Sequence, residues 1–155
     1  MVRTIIDKLK ASVQALEIEK GSGTYLPFYY DDAEMQNIRF DFVAAPLVAC
    51  VPIESGMVQD AGQMFHERLT LAIWFADAMA QATAGDYDAL KNEQVIDACK
   101  KRAFRWAASL APANELRLVS VNGSMRAYLE RDAYLTGYML NVTIEEVSGI
   151  RRCDV

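Results

Sequence analysis

Apolar residues Ile5, Ile6, Leu9, Val13 and Leu16 recur at helical spacing, while Asp7, Lys8, Lys10, Gln14 and Glu17 fall largely on the other side. The pattern predicts an amphipathic helix over residues 4–19. Thr4, with Asp7 three positions on, supplies an N-cap and a capping box, and Gly21-Ser22-Gly23 ends the helix. Residues 24–30 favour extended structure, with Pro27 pointing to an edge or irregular segment. Residues 31–36 read as a turn or short helix. Ile38, Phe40 and Phe42 then alternate with Arg39 and Asp41 as a half-buried strand, and a second apolar run covers 47–53.

Residues 54–63 contain two glycines and little periodicity, which predicts a long loop between two strands. The clearest strand follows. Phe65, Glu67, Leu69, Leu71, Ile73 and Phe75 share one face, and His66, Arg68, Thr70, Ala72, Trp74 and Ala76 share the other. Gly85-Asp86-Tyr87-Asp88 opens the main helix, from Ala89 to about Leu110, with either aspartate as its cap. Its apolar stripe is Val95, Ile96, Cys99, Ala103, Trp106, Ala107 and Leu110; Lys91, Asn92, Glu93, Lys100, Lys101 and Arg105 populate the wet side. Asn122-Gly123 between the runs 116–121 and 125–129 predicts a hairpin. A last strand over 138–147 sets Tyr138, Leu140, Val142 and Ile144 against Asn141, Thr143 and Glu145, with Gly137 permitting a sharp turn into it.

The order helix, three or four strands, helix, three strands predicts an α+β fold. It would be a mainly antiparallel sheet with an N-terminal helix and one long central helix packed on it. The 155 residues fit a single domain, with 148–155 as a loose tail.

Composition narrows the function classes. Hydrophobic residues make up 52% and charged residues 24%, a globular balance. The net charge of -5 and the lack of a basic run longer than Lys100-Lys101-Arg102 argue against direct nucleic-acid binding. The N-terminus alternates too quickly for a signal-peptide core. No stretch approaches the roughly 18 unbroken apolar residues of a membrane span. Both features point to the cytoplasm. Cys50, Cys99 and Cys153 are widely spaced, and read as two core fillers and a tail thiol rather than a disulfide framework or a metal site.

The search for chemistry is mostly negative. His66 is the one histidine and has no nucleophile signature beside it, which favours a surface or interface role. Gly21-Ser22-Gly23 follows a helix and lacks the rest of a phosphate loop. Asp86 and Asp88 read as helix caps, Asp31-Asp32 as a turn, and Glu145-Glu146 as a solvated strand end. No catalytic residue, cofactor site or metal site is predicted. Tyr25, Phe28, Tyr29 and Tyr30 form an aromatic cluster suited to core packing, with a protein-contact patch as the second reading. If both helices cover one sheet face, Trp74, Ala72 and Ala76 must meet something else, such as another subunit.

The strand over 69–75, the segment from Asp86 to Glu93 with its long helix, the hairpin, Arg126 to Glu130, and Leu135-Thr136-Gly137 leading into an alternating strand share an element order with a known group. Together with the N-terminal helix, this order resembles the tail-terminator or tail-completion (neck) proteins of tailed bacteriophages and prophages. The segment Tyr25 to Tyr30 has no counterpart in that pattern. The resemblance implies a non-enzymatic structural protein that forms a ring of its own copies, commonly a hexamer, bound to tail-tube and head-connector proteins. It would assemble in the cytoplasm and end in the virion tail. The assembly residues expected are Glu54, Ser55, Gly56, Met57, Val58, Gln59 and Asp60 of the long loop, with Trp74, Tyr29 and Tyr30. The competing readings are a small-molecule-binding α+β module, with the aromatics lining a pocket anchored by Asp31 or Asp32, and a bacterial adaptor.

Overall fold

The computed structural model describes residues 4–30, 46–59, 62, 64–78, 89–110, 115–130, 135–147 and 150–151. The expected strand at Ile38 to Phe42, the caps Asp86 and Asp88, Asp31-Asp32, Asp60, and the thiol Cys153 lie outside these residues. The element order is α1 (Ile5–Gln14), β1 (Phe28–Tyr30), β2 (Leu47–Gln59), β3 (Met64–Ala78), α2 (Ala89–Ser109), β4 (Leu116–Glu130), β5 (Leu135–Glu146) and β6 (Ile150–Arg151). The fold is α+β, with a mixed sheet ordered β1-β2-β3-β5-β4 and two helices. Among the described residues only the β1–β2 pairing is parallel; β6 adds a short antiparallel pairing to the start of β3.

Alternation explains the layering. Leu69, Leu71, Ile73 and Phe75 of β3 lie on one face beside Tyr138, Leu140, Val142 and Ile144 of β5, all buried. Val48 and Cys50 of β2 and Leu116 of β4 join them. On this face α2 lays its stripe of Ile96, Cys99, Ala103, Trp106 and Leu110, and α1 inserts Ile5, Leu9 and Val13. Trp106 is the keystone. Its ring meets Phe75 at 6.0 Å and its Nε1 donates to Ser12 Oγ of α1 at 3.0 Å, so one side chain ties both helices to the sheet.

The capping box at Thr4 and Asp7 forms as expected: Asp7 N donates to Thr4 Oγ1 at 3.1 Å, and Thr4 N donates to Asp7 Oδ2 at 3.2 Å. The helix itself is shorter than 4–19 and stops at Gln14. Beyond it, Glu17 accepts from the amides of Gly21 (2.6 Å) and Gly23 (3.2 Å), and Ile18 N donates to Thr24 O at 2.8 Å. Gly21 and Gly23 take φ values of 85° and 70°, the left-handed conformation that suits glycine. This turn is anchored to α2. Arg102 donates to Ile18 O (3.3 Å) and to Asp77 (3.0 Å), and Arg105 donates to the carbonyls of Glu17 and Ile18. Arg105 is therefore half-buried, and Asn92, nearer the start of α2, is fully buried; both correct the wet-side expectation.

Two further corrections concern the strands. Residues 54–59 form the second half of β2, paired to β3 from Glu54↔Thr70 to Gln59↔Phe65, and are not a loop. Their apparent lack of period has a local cause. A bulge between Pro52 and Glu54 shifts the register, and past it the outward residues have no core to face. Likewise Asn122-Gly123 is no hairpin turn. It lies inside the continuous β4, where register shifts fall at Leu118/Ser120, Val121/Gly123 and Ala127/Glu130. The same residue types that make a turn also make bulges, because both need irregular backbone.

Candidate functional site

The sheet has two kinds of open border. β1 covers only Val48 to Cys50 of β2, so residues 51–59 have no described strand along their outer side. At the opposite flank β4 is the last strand, and its outer side has no described partner along its whole length. Of the eight exposed large apolar side chains among the described residues, five lie on these two strands. They are Ile53 (60%) and Met57 (68%) on β2, and Val119, Val121 and Met125 on β4. Exposed apolar groups on an unpaired strand mark a surface suited to strand addition.

The expected assembly residues divide accordingly. Glu54, Ser55, Gly56, Met57 and Gln59 are exposed on this open length of β2, and Val58 is half-buried. Trp74 and Tyr29 are not on an open face. They are half-buried against a second, smaller cluster of Leu47, Ala49, Ala76 and Leu135, on the side of the sheet away from the helices. Trp74 Nε1 is buried there with no hydrogen-bond partner among the described residues. Tyr30 is half-buried against the main core. The structure thus brings 54–59 together as one edge and separates it from the aromatic residues.

The helix-free face also carries a polar network that sequence reasoning missed. Glu145, only 2% exposed, accepts from Arg68 through Nε (3.1 Å) and Nη2 (2.7 Å), and from Arg117 on its other oxygen. Three adjacent strands are locked by this one carboxylate, which is not the solvated group expected. Burial opposes its ionisation, yet the hydrogen bond from Arg68 and the charge of Arg117 outweigh burial and hold its carboxyl below the ordinary 4.5. Next to it the Thr70 and Thr143 hydroxyls are 3.0 Å apart, Asn122 donates to Thr143 at 2.9 Å, and Ser120 donates to Asn122 at 2.7 Å. The Asn122 bulge therefore aims a side chain back into the sheet. His66 is buried too, not on the surface. Its Nδ1 sits 3.0 Å from the Glu146 carbonyl, which only accepts, so Nδ1 carries the proton. The signal available was the alternation of Arg68, Arg117 and Glu145 onto polar faces, but their meeting depends on the register of three strands.

A test follows from the sign of this shift. A depressed carboxylate contributes stability that is present above its ordinary value and lost as the pH falls through the folded value. Glu145→Gln is expected to cost about 1.5 kcal/mol at neutral pH, near the low end for charged hydrogen bonds, because both arginines can be rehydrated. The difference should shrink as the pH drops below the ordinary 4.5, as read by denaturant melts at several pH values. A gap that stays constant or widens toward acid would show the carboxylate is not held ionised.

Two cavities bear on ligand binding. One of about 350 Å³ lies between α1, the end of α2 and the start of β4, lined by Lys8, Ser12, Leu16, Leu110 and Glu115 among others. A second, about 340 Å³, is an open groove over the polar network, bordered by Glu54 to Val58 and floored by Arg68, Thr70 and Thr143. Neither is lined by the Tyr25 to Tyr30 cluster. Cys50 and Cys99 are buried, and burial pushes both thiols up to about 12, which removes their nucleophilicity at neutral pH. No group of metal-ligating side chains is found among the described residues, and none of their helices is long and apolar enough to cross a membrane. No known family, curated protein or solved structure matches the chain.

Proposed function

We propose that this chain is a structural subunit that assembles with its own copies into a ring, as in the neck or tail-terminating layer of a bacteriophage or prophage tail. The observation that carries the reading is the concentration of exposed apolar side chains on the two open borders of the sheet. A monomer gains nothing from Ile53, Met57, Val121 and Met125 in water, whereas strand addition would bury them and pair the backbone beside them, which has no partner among the described residues. Pairing one border with the other would make a heterologous contact, and such contacts close into rings when the rotation allows. What remains of the resemblance once the hairpin is gone, the N-terminal helix, the long helix and the strands on either side of it, supplies the phage setting, with tail-tube and head-connector proteins as the further partners. A small-molecule-binding role has less support, since the aromatic cluster lines neither cavity described above.

Negative-stain imaging of the purified protein tests the reading directly, with rings of uniform diameter as the expected result. Glu54→Lys provides the residue-level test. Glu54 is exposed and bears no core contact, so the variant should keep its stability within about 0.5 kcal/mol. Its assembly, read by sedimentation, should weaken several-fold. A variant that assembles as well as the parent would remove 54–59 from the contact.

A further inference from the structure

We draw no further inference here: the strongest candidate, the cavity between α1, the end of α2 and the start of β4, carries nothing because Lys8, Ser12 and Ser109 in its lining are already engaged within the chain, by Glu146, by Leu9 and Trp106, and by Trp106 respectively, and nothing in the structure shows what fills it.

Discussion

Leu71→Asp is expected to leave the chain unfolded. Leu71 is fully buried at the centre of β3, across from Val142 on one side and Pro52 on the other, and inside the cluster that both helices cover. Removing its side-chain methyl groups costs about 2–5 kcal/mol by itself. A carboxyl with no partner in that cluster adds several more, about what a domain of 5–15 kcal/mol total stability holds in reserve. Circular dichroism should show loss of cooperative melting. The same change at Leu90, which is 80% exposed near the start of α2, should shift stability by about 0.5 kcal/mol or less. If Leu71→Asp melts cooperatively near the parent temperature, the assignment of this face as the core is wrong.

Gly137→Ala is expected to be nearly as damaging, although it adds one methyl group. A Cβ at position 137 would lie 2.0 Å from the Phe75 carbonyl oxygen and 2.9 Å from Ala76 Cα, both backbone atoms of the central strand. Neither can rotate aside as a side chain would, so β5 must move away from β3 where the two pair at Ala76 and Gly137. Overpacking of this kind costs on the order of 3 kcal/mol. The variant should lose that much in urea melts, and the control Gly56→Ala, with open space around its Cβ, should lose little. Equal losses at the two glycines would show that backbone entropy, not the close approach, explains Gly137.

The reason for Gly137 differs from the one its sequence context suggested. It lies in the interior of a strand, not at a sharp turn into one, and no local pattern states which neighbouring backbone comes near. Glu145 makes the same point for charge. As a residue it reads as a solvated strand end, and only the alignment of β3, β5 and β4 puts Arg68 and Arg117 on its two oxygens. The bulges behave likewise. Asn122-Gly123 carries a strong local turn signal, yet β5 offers it a continuous partner, and pairing along fifteen residues outweighs a two-residue preference.

Where burial is decided within one element, the sequence was sufficient. The stripe of α2 and the helix-facing apolar residues of β3 and β5 follow from periods of 3.6 and 2.0, and these, the capping box of α1 and the two core thiols are found where the local pattern puts them. Strand order, register, the second half of β2 and the open borders came only from the tertiary structure. Those features depend on contacts between residues far apart in the chain, whose energies are set by which partners meet and not by the spacing of residues along any one segment.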